Sequence, residues 1–174
     1  MQEASIPTDA SALIHLAKLD SFETAFRCVG NLRVPPSVWR EVVELGDAQG
    51  ALDVPVVHLA ESLGYIQRAA LSPDEAAKAR AIAIAHRLGA GECEVLAMAS
   101  HGQRVILDEG RGTRLAQFMG ILPVPTLMLP LFGVRNRTLD LSEALEFLWA
   151  ITLVSGARAD LFASMERRLR RAAR

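Results

Sequence analysis

Apolar residues recur along this chain in two alternating patterns, short continuous runs and longer stretches with helical spacing. The short runs, such as residues 32–34, 105–108 and 121–125, lack the polar alternation of a half-exposed strand, which is typical of strands buried on both faces. Between them, apolar residues return every three or four positions, as in the stretch that carries Leu13, Leu16 and Ala17. Alternating helices and buried strands predict a parallel sheet between two helix layers.

Start and stop residues divide the helical stretches. Ser72 and Pro73 predict the start of a long helix that ends by Gly89. Pro36 predicts the start of an earlier helix, with Gly46 as its expected end. Ser11 is a candidate for starting the first helix, and a further helix is expected over residues 113–119.

Length favours one domain over residues 1–174, and the pattern of residues 126–174 predicts helices. No apolar run reaches the roughly 18 residues of a membrane span, so we expect no membrane association. The first residues lack the pattern of a signal peptide. Cys28 and Cys93 have no zinc-ligand spacing and are too few for a disulfide framework. A reducing cytoplasm is the expected location.

Charge is distributed unevenly, although the net charge is only −1. The last nine residues, ERRLRRAAR, contain five arginines. They are interpreted either as a solvated helix end that complements the helix dipole or as a tail that contacts phosphates or an acidic partner.

Acidic residues follow the predicted strands or open the next helix at four places. In a parallel sheet, ligands bind beyond the carboxyl ends of the strands. Carboxylates gathered there repel one another unless a divalent cation holds them, and hard oxygen ligands select Mg²⁺ or Mn²⁺. Each acid taken alone is better explained by the preference of first helical turns for acidic residues. The four are Asp9, Glu41, Glu92 and Asp108.

Two arginines, Arg111 and Arg114, lie directly after Asp108 at the start of a predicted helix. One interpretation pairs one of them with Glu109, which lowers the repulsion among the acids. The other has them bind a substrate phosphate, because a helix N-terminus already favours anions.

Four segments in this order, TDASALIHLAKLD, VPPSVWREVVE, LGAGECEVLAMA and VILDEGRGTRLAQFMGI, resemble the PIN-domain ribonucleases. The resemblance is greatest to the bacterial branch that includes the toxins of VapC-type toxin–antitoxin pairs. It covers most of residues 5–125. The most specific pair is the G-E-x-E segment and the strand that ends in two acids and an arginine about fifteen residues later.

The resemblance implies a three-layer α/β/α sandwich with a central, mostly parallel sheet and extra C-terminal helices. It also implies an acidic pocket that binds Mg²⁺ or Mn²⁺. Carried over by position, the catalytic acids are Asp9, Glu41, Glu92 and Asp108, with Glu109 as a further metal ligand beside the last one. Ser11, Arg111 and Arg114 are the implied substrate-binding residues, and Glu94 is implied to be supporting or on the surface.

Three positions depart from the family pattern or leave its assignment open. Thr113 stands where the family places an arginine, so the sequence does not select between the two arginines beside Asp108. Pro7 fits a strand only if that strand is short or lies at an edge. Glu44 lies one helical turn after Glu41 and is an alternative for the same position.

The implied activity is metal-dependent hydrolysis of RNA phosphodiester bonds, in which the metal activates water and neutralises charge on the phosphoryl oxygens. This chemistry needs no histidine. The expected partners are RNA, an antitoxin protein and a second copy of the chain, the last through apolar C-terminal residues such as Trp149 and Leu153. The alternative is a catalytically inactive PIN-fold interaction module. The histidines are interpreted as surface or core residues: His15, His58, His86 and His101.

Overall fold

The computed structural model describes residues 5–108 and 110–174. Within them the chain forms short strands, each followed by one or more helices. The strands are β1 (Ile6–Pro7), β2 (Leu32–Val34), β3 (Ile66–Arg68), β4 (Arg104–Ile106) and β5 (Leu122–Val124).

Every strand pairing within the described residues is parallel. One sheet has the order β1-β2-β3, and the other pairs β4 with β5. A parallel bridge between Thr8 and Ile106 joins the two sheets. The combined order is therefore β3-β2-β1-β4-β5, in which the direction of winding reverses between β1 and β4. Open α/β sheets bind their ligands at such a switch point.

Pro7 explains why β1 and β4 meet only at a bridge. The amides of Ile6 and Thr8 donate to the carbonyls of Asn31 and Arg33, on the β2 side. The backbone of Pro7, between them, is directed toward β4, and a proline has no N–H to donate there. Pairing on that side is made one residue later by the Thr8–Ile106 bridge and by the Asp9 amide. The prediction that Pro7 requires a short strand is confirmed, since β1 contains only two residues.

The helices that connect the strands begin at the capping and proline signals of the sequence. Ser72 and Glu75 form a reciprocal capping box, and Asp140 and Glu143 form another. In chain order the helices up to β4 are α1 (Ala10–Lys18), α2 (Phe22–Val29), α3 (Pro36–Trp39), α4 (Leu45–Ala48), α5 (Val54–Ser62), α6 (Pro73–His86) and α7 (Ala90–Ala97). A π-helical turn, Arg40–Glu44, joins α3 to α4.

The C-terminal part is helical, as the sequence predicts. A 3-10 turn, Thr126–Met128, leads from β5 into the first of three consecutive helices. Together with the helix between β4 and β5, these are α8 (Arg111–Phe118), α9 (Leu129–Arg135), α10 (Leu141–Ser155) and α11 (Ala159–Ala172).

The core lies on both faces of the sheet. Val105 and Ile106 are neighbours in β4, so their side chains point to opposite faces, and both are fully buried. Helices therefore cover the sheet on both sides, and the predicted α/β/α sandwich with a mostly parallel sheet is confirmed. None of the helices in the described ranges is both long and apolar enough to cross a membrane.

The structure corrects three predicted boundaries. Gly46 lies inside α4 and does not end a helix; a side chain there would come within 2.9 Å of a Val54 methyl carbon, so the glycine permits close packing against α5. β4 ends at Ile106, two residues before Asp108. α8 starts at Arg111, two residues before the predicted start.

Candidate functional site

Asp9 lies just beyond β1, where the chain enters α1. It is the N-cap of that helix: its Oδ1 accepts the Ala12 amide at 2.9 Å. Its own amide donates to the Ile106 carbonyl at 3.2 Å, across the switch point. Ser11, the sequence candidate for this cap, is instead an exposed residue in the first turn. Asp9 is thus held between the two halves of the sheet.

The Asp9 carboxyl is buried, with 7% of its surface exposed. Burial is the main reason that its pKa rises to about 6, and the nearby charges of Asp108 and Glu92 raise it further. The backbone hydrogen bonds from Ala12 and Asp108 offset only part of this increase. Three acids therefore share one electrostatic environment, in which one of them is costly to ionise.

Asp108 lies beyond the neighbouring strand β4, and its amide donates to Asp9 Oδ2 at 3.4 Å. Its carboxylate accepts the Thr126 amide at 2.8 Å and the Thr126 hydroxyl at 3.0 Å. His15 Nδ1 lies 3.2 Å from Oδ2 of the same carboxylate. Asp108 is thus surrounded by hydrogen-bond donors from α1 and from the turn after β5.

Those donors reverse the effect of burial on Asp108. Burial by itself raises the pKa of this carboxyl, but the hydrogen bonds from His15 and Thr126 bring its pKa below the ordinary value. Asp108 therefore stays ionised at neutral pH without an added cation.

Glu92 occupies the first turn of α7, and its Oε2 accepts the Gly89 amide at 3.1 Å. Its other oxygen lies against the start of α8, because a side chain at Gly112 would come within 2.6 Å of Glu92 Oε1. The glycine allows α8 to approach this carboxylate. Glu92 also contributes to the raised pKa of Asp9, so the third acid faces the same switch point.

Glu41 is an exposed residue of the π-helical turn, and so is Glu44. The described contacts join neither of them to the three acids at the strand ends. The nearby Glu94, interpreted from sequence as supporting or on the surface, accepts the Ser37 amide at 2.7 Å and the Ser37 hydroxyl at 2.6 Å. Glu94 is thus a link between α7 and α3, the helix that leads into the turn with Glu41.

The two predicted substrate-binding arginines follow Asp108 in the chain. Arg111 and Arg114 are exposed in the first turn of α8. Thr113, which replaces the family's arginine, donates its hydroxyl to the Asp108 carbonyl at 2.7 Å. Glu109, the predicted additional metal ligand, lies outside the described residues.

A pocket of about 230 Å³ adjoins the Asp108 carboxylate. His15 and Thr126 form its polar wall, and α10 and α11 contribute Ile151 and Leu161. The sequence interpretation of His15 as a surface or core residue did not include its contact with Asp108, a candidate catalytic acid. Its place in the sequence, one helical turn after Ser11, gave no signal of this contact. Thr126 was missed because it too belongs to no recognisable motif.

The donor set at the switch point suits a hard divalent cation in its chemistry, because it consists of carboxylate oxygens. In the arrangement described for residues 5–108 and 110–174, no three histidine, cysteine or acidic side chains are gathered closely enough to hold a metal ion. The Asp108 oxygens face Thr126 and His15.

Comparison with known families identifies the chain. The family model DUF3368, described as a PIN domain, matches residues 6–159. The chain therefore belongs to the PIN-domain family, whose members are generally nucleases that use divalent metals. Comparisons with curated proteins and with solved structures gave no match.

Proposed function

We propose that this protein is an Mg²⁺- or Mn²⁺-dependent endoribonuclease. The observation that supports this most is the position of Asp9 and Asp108 at the ends of adjacent parallel strands, on either side of the switch point, with Glu92 facing them. A raised pKa at Asp9 is typical of acids gathered at a functional site. Membership in a family of nucleases supports the same chemistry.

The proposed cation ligands are Asp9, Glu92, Asp108 and Glu109. When bound, a divalent cation supplies charge neutralisation on the phosphoryl oxygens and activation of water. Asp9 contributes a carboxylate that burial leaves short of hydration, so it gains more from a cation than an exposed acid does. Thr126 and His15 orient Asp108, and Arg111 and Arg114 are placed to hold a substrate phosphate. Glu41 is proposed as a fourth catalytic acid, farther from the cation than the other three, and Ser11 as a substrate-binding residue.

We further propose that the protein is the toxin of a toxin–antitoxin pair and acts in the cytoplasm. It would form a homodimer, with residues 1–174 as a single domain in each copy. The features that support a protein partner are on α10 and α11. Trp149 and Leu153 are 54% and 63% exposed, while their neighbours Phe147 and Leu148 are buried. Trp149 packs edge-on against Phe162, which gives this exposed face a rigid aromatic centre.

The second candidate is an inactive PIN-fold interaction module. It is favoured by one observation: the described acids are not gathered as a three-ligand set.

The test is cleavage of a labelled structured RNA with Mg²⁺, with Mn²⁺ and with EDTA. We expect cleavage with either metal, and a loss of at least about 100-fold in Asp9→Asn and Asp108→Asn, because each removes a charged ligand. Asp47→Asn is the matched control, since Asp47 is an exposed acid of α4.

The same proteins are then heated with and without Mn²⁺. A metal-dependent rise in melting temperature in the wild type, absent in both pocket variants, supports the nuclease. No cleavage together with no metal-dependent rise identifies the interaction module instead.

A further inference from the structure

A second charged region lies away from the acids, in a cleft of about 1140 Å³. It is bordered by the C-terminal ends of α2, α9 and α11 and by the start of α10. We call it the arginine cleft, after the six arginines that line it: Arg27, Arg135, Arg137, Arg168, Arg171 and Arg174.

The arginine cleft lies at the amino edge of the sheet. α2 ends just before β2 begins, and Arg27 in its last turn donates to the Thr138 carbonyl beyond α9. Arg27 also borders a neighbouring pocket that is lined by the first residues of β1, β4 and β5. The acids occupy the carboxyl edge, so the two charged regions lie at opposite edges.

The carboxylates of the cleft are already engaged. Glu143 pairs with Arg27 at 2.9 Å, and Asp140 caps α10 through the Glu143 amide. In contrast, no described carboxylate lies within ion-pair distance of Arg135, Arg137, Arg168 or Arg171. The cleft therefore has a positive excess.

Helix dipoles do not account for that excess. A helix C-terminus carries about half a negative charge, and a cation in the last turn complements it. Arg135 and Arg171 suffice for this at α9 and α11. Arg137 and Arg168 come in addition.

The chemistry favours a phosphate backbone over an acidic peptide. A docked peptide helix needs an exposed apolar groove. Here the apolar lining residues Val134 and Leu139 are only 7% and 5% exposed, and the more exposed apolar lining is limited to Leu141, Ala172 and Ala173, beside six arginines. A phosphate backbone needs only charge, and the planar guanidinium binds phosphate through two parallel hydrogen bonds.

We propose that the arginine cleft is a second RNA-binding site, which holds the substrate backbone away from the site of cleavage. The proposal rests on the proposed function for the identity of the ligand. The length of α10 gives the distance between the arginine cleft and the acids. The helix starts at the cleft and ends at Ser155, which lines the pocket beside Asp108. A helix of 15 residues is about 22 Å long. An RNA that spans both edges can contact the cleft and the proposed cleavage site at the same time.

Binding is measured by fluorescence anisotropy in EDTA, with Asp9→Asn as the background so that no cleavage intervenes. Arg168→Gln combined with Arg171→Gln is compared with Arg167→Gln combined with Arg170→Gln. Both pairs are exposed on α11 and remove the same charge, but only the first pair lines the cleft.

We expect the first pair to weaken binding of a long structured RNA about tenfold. The slope of log affinity against log salt concentration should become shallower by about 0.7 to 0.9 for each phosphate that the variant no longer neutralises. The control pair should change affinity less than about twofold. Equal decreases in affinity for both pairs would overturn the proposal, and so would binding of polyglutamate in place of RNA.

The nuclease proposal fails separately. Wild-type protein that binds RNA through the cleft but cleaves none contradicts only the nuclease. Cleavage of long RNA with an unchanged KM in the cleft variant contradicts only the second site.

Discussion

The ends of β1 and β4 lie side by side and each carries an aspartate, but the structure treats the two carboxyls in opposite ways. Asp9 is buried beside two other acids, and its pKa rises to about 6. Asp108 is surrounded by donors from His15 and Thr126, and its pKa falls. The comparison shows that equivalent positions in a fold do not give equivalent chemistry, because hydrogen-bond donors decide which acid is ionised.

The largest expected effect on the free energy of unfolding is that of replacing Asp9 in metal-free protein. A folded pKa of about 6 against 3.8 means that stability is full below pH 3.8 and falls as pH rises through 6. At pH 8 the ionised carboxyl then costs up to about 3 kcal/mol. Asp9→Asn retains the helix cap. It should raise the free energy of unfolding at pH 8 by somewhat less than that amount, because the asparagine NH₂ cannot accept the Asp108 amide as Oδ2 does. Near pH 3.5 only this small loss should remain, as measured by urea unfolding in EDTA.

Asp108→Asn should act with the opposite sign and a smaller size. Its folded pKa is depressed, so its stabilisation is present above pH 3.8 and is lost as pH falls through the folded value. Replacing the carboxylate weakens the bonds from Thr126 and His15, with a loss of about 1–3 kcal/mol at pH 7. If Asp9→Asn and Asp108→Asn shift the urea midpoint in the same direction at pH 8, the contrast between the strand ends is wrong.

The smallest effect isolates a single donor. Thr126→Val keeps the shape of the buried side chain and the backbone N–H but removes the hydroxyl that donates to Asp108 Oδ2. We expect a loss of about 1 kcal/mol at pH 7. The pKa of Asp108, followed by carboxyl NMR, should rise toward its ordinary value. Thr138→Val is the control, because the Thr138 hydroxyl bonds to the Gly133 carbonyl, away from the acids. An unchanged Asp108 pKa would show that Thr126 acts only through its backbone amide.

Sequence reasoning predicts the sheet and the position of the two aspartates at strand ends because both follow from local patterns. Buried runs give the strands, and the rule for parallel sheets places Asp9 and Asp108 at one edge. The supporting contacts are different. Thr126 and His15 are 18 and 93 residues from Asp108, and neither stands in a pattern that indicates its partner.

Glycines are a second case in which the sequence does not indicate the role, because packing between distant residues decides it. Gly46 matches a helix-stop signal, yet it serves the close approach of α5. Gly112 appears in the sequence only as a small residue, and the structure shows that its missing side chain makes room for Glu92. A glycine that permits close packing is recognisable only when its neighbour in space is known.

The missing amide of Pro7 has a consequence for the dynamics of the molecule. The backbone hydrogen bonding between β1 and β4 is limited to the Thr8–Ile106 bridge and the Asp9 amide. We call this weakly bonded contact between the two sheets the seam. Local opening of that seam would expose the Asp9 amide to solvent exchange before the amides of β2 exchange. Asp9 and Asp108 lie on opposite sides of the seam, so a cation bound by both would hold the two sheets together and make local opening rarer. Slower hydrogen exchange at this one amide would then report occupancy of the site.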